Sequence, residues 1–208
     1  MFTAIPKSEI EILLIRQLSN MFGLNEEERS LLKNVWEGGA KRLELCFKNN
    51  PNKYYHKDGD TYFNPFQSAQ YNIFLYIISN EIWKAGNPIL ADKIYYLNKV
   101  LNSNDLFYEV ELPEYFKCDH PVGSVMGRAK YGNGFSFGQC CTVGNNNGIY
   151  PVIEENVRMC AYSSIIGNCH IGCNTILGAY ASVKDQDVPS DSLVFGQSPN
   201  LIIKKRKK

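Results

Sequence analysis

PVIEENVRMCAYSSIIGNCHIGCNTILGAYASVK, residues 151 to 184, is the stretch whose reading decides the fold. Ile153, Met159, Ile165, Ile171, Leu177 and Val183 stand six apart without a slip, and upstream Val125, Tyr131, Phe137 and Val143 keep the same period. A helix spaces its buried residues three and four apart and a lone strand two apart, so a strict six fits neither. It fits a parallel β-helix of hexapeptide units, about three to a triangular turn, with each ladder residue pointing inward onto its counterpart one coil away. Glycine follows the ladder residue at 132, 138, 144, 172 and 178, as a tight corner would favour. The fourth position after it is small or β-branched at Ala129, Cys141, Val157, Ser163, Cys169, Thr175 and Ala181.

Between Val143 and Ile153 the spacing is ten rather than six. The excess falls on Asn145-Asn146-Asn147-Gly148, residue types that accept the positive φ of a turn, so it reads as a loop extruded from one corner. Loops carried on a rigid scaffold are where function tends to sit.

The N-terminal half has a different period. Ile10, Ile12, Leu13, Leu14, Ile15 and Leu18 suggest a helix over residues 7 to 22, ended near Gly23. Asn25 followed by Glu26, Glu27 and Glu28 reads as the capped start of a second helix running to about Phe47, with a bend at Gly38-Gly39. Residues 49 to 64 are polar and turn-rich. A third helix is expected from Phe66 to Ala85 and a fourth from Leu90 to Leu101. The division is therefore a helical domain over 1–104, a β-helix over 105–203 and a basic tail over 204–208. Helices at the start of a solenoid have a physical use, since the first coil exposes strand backbone that needs a cap.

Composition narrows the class. The chain is 44% hydrophobic and 21% charged with a formal charge of +1, which exerts no overall pull toward nucleic acid or membrane. Its basic residues do gather at Lys204-Lys205-Arg206-Lys207-Lys208, either a solvated tail or a contribution to holding an anion. No apolar run approaches the roughly 18 residues of a membrane span. Met1-Phe2-Thr3-Ala4-Ile5-Pro6 has no charged-then-apolar leader pattern, and seven cysteines suit free thiols in a reducing cytoplasm better than a disulfide framework. A cytoplasmic location is expected.

Several segments resemble the serine acetyltransferases, hexapeptide-repeat acyltransferases that use acetyl-CoA. Asp119-His120-Pro121-Val122-Gly123-Ser124-Val125-Met126-Gly127 resembles the family's Asp-His element, and Ile166-Gly167-Asn168, Ile171-Gly172 and Leu177-Gly178-Ala179 resemble its closing coils. Val188-Pro189 with Val194, Gly196 and Pro199 resembles the signature that ends the solenoid, and Phe66 to Tyr71 with its apolar helix resembles the last helical pair. The resemblance covers roughly residues 60 to 203. It implies a left-handed β-helix, a homotrimer with the site between adjacent solenoids, pairing of trimers through the helical caps as a further step, and acetyl-CoA as cosubstrate.

The chemistry also follows from the residues. Acetyl transfer from a thioester to a hydroxyl needs a base for the hydroxyl proton and donors for the oxyanion. Of three histidines, His56 lies in a polar loop and His170 at an exposed coil position, whereas His120 stands beside a carboxylate and before a Gly-containing corner. Imidazole titrates near neutral pH and suits the role of base. A base works best when a carboxylate orients it. By alignment with the family motif Asp105 takes that place; Leu106-Phe107-Tyr108 departs from the family's Ile-His-Pro there, and a turn cap in the linker is the other reading. Asp119 resembles the residue that binds the acceptor's amino group, or else caps the first coil.

By the same resemblance Gly144, Asn145 and Asn146 border the site, and Gly178, Ala179 and Ala181 line the pantetheine arm. Lys184 and Lys204 either meet the donor's phosphates or are solvated. The family's Arg-His pair in the loop is replaced by Ile149 and Tyr150, which removes a carboxylate-binding cation and keeps a sugar hydroxyl in view beside serine. Cys160, Cys169, His170 and Cys173 include spacings found in zinc sites, but inward and corner positions need not converge, so no metal is expected. The expectation is an acetyl-CoA-dependent O-acetyltransferase acting on a small hydroxyl acceptor, with a non-catalytic solenoid scaffold as the alternative from another class.

Overall fold

Alternating helix caps and apolar faces build the first unit, Met1–Asn102. In the computed structural model, which describes residues 1–206, it comprises β1 (Phe2–Thr3), α1 (Lys7–Phe22), α2 (Glu26–Lys48), a single 3-10 turn (Lys53–Tyr55), β2 (His56–Lys57), β3 (Asp60–Phe63), α3 (Ser68–Lys84) and α4 (Pro88–Asn102). α2 opens on a capping box: the Asn25 side chain accepts the Glu28 amide at 2.8 Å, and the Glu28 carboxylate accepts the Asn25 amide at 3.0 Å. α2 is one uninterrupted helix through Gly38-Gly39, and Gly39 packs on α3, where a Cβ would lie 2.5 Å from Cδ1 of Ile78. Nearly every residue of α3 from Ala69 to Asn80 is buried, as a central helix requires. Within the stretch read as turns, β3 pairs in parallel with β1 and antiparallel with β2.

The second unit begins at Ser103 and is a parallel β-solenoid. Its strands are β4 (Asp105–Leu106), β5 (Phe116–Cys118), β6 (Val125–Met126), β7 (Lys130–Tyr131), β8 (Phe135–Phe137), β9 (Thr142–Gly144), β10 (Val152–Ile153) and β11 (Arg158–Met159). β12 (Ser164–Ile166), β13 (His170–Ile171), β14 (Ile176–Leu177), β15 (Ser182–Lys184), β16 (Ser192–Phe195) and β17 (Ile202–Lys205) follow. They stack into three faces: β5-β8-β11-β14-β16-β17 is the first, β4-β6-β9-β12-β15 the second and β7-β10-β13 the third. The chain visits the faces in rotation, so each turn has three corners.

Register explains the six-residue period. Ile153 lies opposite Ile171, Met159 opposite Leu177 and Ile165 opposite Val183, all eighteen residues apart and all buried. Tyr131 opposite Ile153, Phe137 opposite Met159 and Val143 opposite Ile165 are twenty-two apart, and the difference is the extruded loop.

Three expectations change. Val125 is not the inward residue of its coil: Met126 is buried and pairs with Val143, while Val125 is exposed. A slip of one residue exchanges the two sides of a strand, and the period of six breaks there. The glycines after the ladder residues do not supply the positive φ of the corners; that comes from other residues, among them His120, Cys140, Asn156, Tyr162, Asn174, Tyr180 and Asp191 and the glycines Gly134 and Gly167. Gly132 is needed for close stacking instead, since a Cβ on it would sit 2.5 Å from the Glu154 carbonyl carbon of the next coil. Finally, the first residues of the expected solvated tail are part of a sheet. Lys204 and Lys205 belong to β17, which runs antiparallel along β16 because the sheet edge offers unpaired amides and carbonyls. The last two tail residues, Lys207 and Lys208, lie outside the described residues.

Candidate active site

The corner between the first and second faces carries His120. Its φ is 51°, in the left-handed region that histidine visits more readily than bulky or β-branched residues. The backbone on either side of it is hydrogen-bonded: the Asp119 amide donates to the Phe137 carbonyl at 2.9 Å, Val122 to His120 at 2.8 Å and Ser124 to Pro121 at 3.1 Å. Ser124 is buried and its hydroxyl donates to the Gly138 carbonyl at 2.7 Å while accepting the Cys141 amide at 3.1 Å, which fastens the turn to the next coil. A rigid turn thus holds an exposed imidazole.

Beside that imidazole is a cleft of about 230 Å³, with Asp119, Ser136, Gln139, Arg158 and Cys160 among its walls. The side chains of Asp119, His120 and Arg158 make no hydrogen bond or ion pair among the described residues. An acid, a base and a cation therefore face one small space with their bonding capacity unused. Arg158 and Cys160 were not anticipated as cleft residues. The signal for Arg158 was its place immediately before the ladder residue Met159, which is an outward position.

Asp105 lies on β4, and its amide donates to the Ser124 carbonyl at 2.8 Å. With the Gly123 amide on the Ser103 carbonyl at 2.7 Å, this ties β4 to the His120 turn. The strand is brought alongside, yet no hydrogen bond joins the Asp105 carboxylate to the His120 ring.

The loop residues stand at a different corner, between the second and third faces. Asn145 accepts the Gly148 amide at 3.2 Å, and Asn146 donates to the Asp185 carboxylate at 2.6 Å, so both are engaged in holding the loop. Tyr150 and Ile149 are 44% and 51% exposed at its end. Gly144 pairs with Ile166 in the second face, and its carbonyl accepts the Gly167 amide. Within one chain, Asn145, Asn146 and Tyr150 do not meet His120.

Two donor-binding expectations are corrected. Ala181 is fully buried, because the fourth position after the ladder residue points into the coil, and it can touch no ligand. Gly178 is also buried; its amide is spent on the Val194 carbonyl, and a Cβ would collide with the Phe195 ring. Ala179 is exposed. Lys184 is exposed beside an open depression of about 390 Å³ shared with Asp185, Ser198 and Pro199, and Lys204 projects from β17 on the first face.

A second polar cluster occupies the corner between the third and first faces. The Glu154 carboxylate takes the His170 Nε2 at 2.8 Å and accepts the Cys173 thiol at 2.9 Å. That thiol, then His170, holds the Glu154 carboxyl below the usual carboxylate range, and the same carboxylate pushes the Cys173 thiol up. Cys169 points the other way, into the coil, with its sulfur on the Ile166 carbonyl at 3.1 Å. No group of three or more His, Cys, Asp or Glu side chains converges as a metal site among the described residues. All seven cysteines are free, and no described helix is long and apolar enough to cross a membrane.

No family model matches the chain. Among curated proteins it is 27% identical over 148 residues to a serine acetyltransferase of Staphylococcus epidermidis, covering 64% of this chain and 63% of that one. It is 26% identical over 127 residues to a putative serine acetyltransferase of Schizosaccharomyces pombe, covering 59% and 47%. The chain thus spans less than two thirds of the length of the curated relatives it matches. Among solved structures, serine acetyltransferase from Vibrio cholerae superposes with a TM-score of 0.75 at 18% identity, over 97% of this chain and 80% of that one. A Neisseria gonorrhoeae serine acetyltransferase in complex with serine gives 0.66 at 24%, over 88% and 80%, and a serine acetyltransferase in complex with CoA gives 0.68 at 17%, over 94% and 83%. With the hexapeptide period and the solenoid it builds, these likenesses show that the chain shares its fold with the serine acetyltransferases and is similar to them in sequence.

Proposed function

We propose that the protein transfers acetyl from acetyl-CoA to the hydroxyl of L-serine, with His120 as general base. The observation that carries this reading is an exposed, unpartnered imidazole held by a rigid left-handed turn in a cleft beside Asp119. The known relatives add support through their names, and two structural neighbours through their complexes with serine and with CoA.

In the proposed step an unprotonated His120 nitrogen takes the hydroxyl proton as the oxygen bonds to the thioester carbonyl carbon. The carbon–sulfur bond breaks, CoA leaves as a thiolate, and the proton returns to that sulfur. The backbone amides of Gln139 and Ala161 line the cleft and have no hydrogen-bond partner among the described residues, so they are candidate donors to the oxyanion. Asp119 takes the acceptor's ammonium, and Asp105, on the strand fastened to the His120 turn, orients the base once substrate closes the site. Ala179, Lys184 and Lys204 are the accessible remainder of the donor-binding set.

The separation of His120 and the loop onto two corners favours a site completed by a second solenoid, hence a homotrimer. Pairing of trimers and a cytoplasmic location complete the reading; free cysteines suit a reducing compartment. A sugar hydroxyl is the second acceptor to test, because the loop ends in the exposed Ile149 and Tyr150, and an aromatic ring suits a sugar face.

The test follows thiol release from acetyl-CoA with serine and then with a panel of sugars, for the wild type and His120→Ala. Serine-dependent release that falls about 100-fold or more in the variant is expected. Turnover that survives the substitution removes His120 as base, preference for a sugar moves the acceptor, and neither CoA binding nor transfer with any acceptor favours a scaffold.

A further inference from the structure

A carboxylate-bearing acceptor needs a cation, and the loop supplies none at Ile149 or Tyr150. The solenoid has one at another place. Arg158 projects from β11 on the first face, in register with Ser136 of β8, which in turn faces Lys117 of β5. Ser136 is small and 93% buried, so the face is recessed between two long basic residues, and the floor of that recess is the floor of the His120 cleft. Arg158 itself lines the cleft, is exposed, and makes no ion pair among the described residues. Arg128 of the same unit, by contrast, pairs with Glu109 at 2.7 Å.

From this juxtaposition we propose that Arg158 is the specificity-determining residue that binds the acceptor's α-carboxylate. The inference rests on the reading of the cleft as an acyl-acceptor site. Three charged or basic groups then match three groups of one molecule: Arg158 the carboxylate, Asp119 the ammonium, His120 the hydroxyl. Guanidinium grips a carboxylate with two parallel N–H donors, which fixes orientation as well as affinity. A cleft of about 230 Å³ is below the range of roughly 300 to 1,000 Å³ that holds drug-sized ligands, a size in keeping with a small zwitterion. The cation has moved from loop to sheet, where backbone pairing on both sides holds it in place.

The experiment compares wild type, Arg158→Met and Arg158→Lys by steady-state kinetics in serine and in acetyl-CoA. Calorimetric binding of serine and of serinamide, without acetyl-CoA, accompanies it. The expected result is a rise in the serine KM of about 10- to 100-fold in Arg158→Met, partial recovery in Arg158→Lys, and an unchanged KM for acetyl-CoA. Serinamide should bind wild type and variant alike. An unchanged serine KM, or a rise confined to acetyl-CoA, overturns the assignment and leaves acetyl transfer standing. Serine that binds through Arg158 without being acetylated would do the reverse, and a preserved melting temperature separates either from misfolding.

Discussion

The coils below Val152 and those above it are built from the same repeat and behave differently. Below, the inward residues from Ile153 to Val183 stack at eighteen positions, with only the closing pairs Ile171–Val188 and Leu177–Val194 at seventeen, and the corners are laced: the Asn156 side-chain amide donates to Asn174 at 3.3 Å and the Asn174 side-chain amide to Asp191 at 3.0 Å. Above, Met126 lies seventeen from Val143, Cys118 nineteen from Phe137 and Leu106 twenty from Met126. The irregular coils are the ones whose polar side chains Asp119 and His120 are left without partners. Regular stacking satisfies the corner side chains and leaves outward residues such as Arg158 on strands fixed by pairing; broken register frees corner side chains at the cost of local order.

The sharpest way to break this comparison is to exchange the expected effects. His120→Ala in the upper coils should lower acetyl transfer about 10²- to 10⁴-fold with no loss of melting temperature, measured by thiol release and thermal denaturation. Ile165→Ala in the lower coils should do the converse, destabilising by about 2–5 kcal/mol in denaturant titration while kcat of the folded fraction holds, because a fully buried side chain leaves a cavity. If His120→Ala unfolds the protein, the division between stabilising and chemical coils is wrong. Asn174→Ala should cost about 1–2 kcal/mol, from its left-handed corner and its side-chain hydrogen bonds.

The smallest effect tests the polar cluster at Glu154. A carboxyl held low in the folded state contributes stability above its unfolded pKa, and that contribution fades as pH falls through the folded value. Glu154→Gln should therefore flatten the melting-temperature profile below about pH 4.5, where the wild type loses its contribution. It should also quicken alkylation of Cys173, whose thiol the carboxylate holds protonated, and an unchanged rate would disconnect the two groups.

How far the sequence could be read varies by element. The ladder from Ile153 to Val183 was legible because an inward position tolerates only apolar side chains and the coil length repeats, so burial writes itself into the spacing. The Asn25 cap was legible because its hydrogen bonds are local. Val125 misled because one extra or missing residue in a short coil changes which side of the strand faces in, and Val and Met are both apolar. The glycines misled through their two uses, since positive φ and close approach leave the same letter. Arg158 was invisible as a site residue, for an outward arginine on a strand looks like any solvated charge until the neighbouring coil brings Asp119 and His120 to its side.

The sequence by itself determined the solenoid, the extruded loop at Asn145 to Gly148 and the singular position of His120. These follow from periodicity, turn chemistry and residue type, all encoded within a few neighbours. The tertiary structure alone decided which charges share the cleft, that Ala181 faces inward out of reach, and that the loop stands at another corner from the base. Those are relations between residues about twenty or more positions apart, set by how one coil lies on the next.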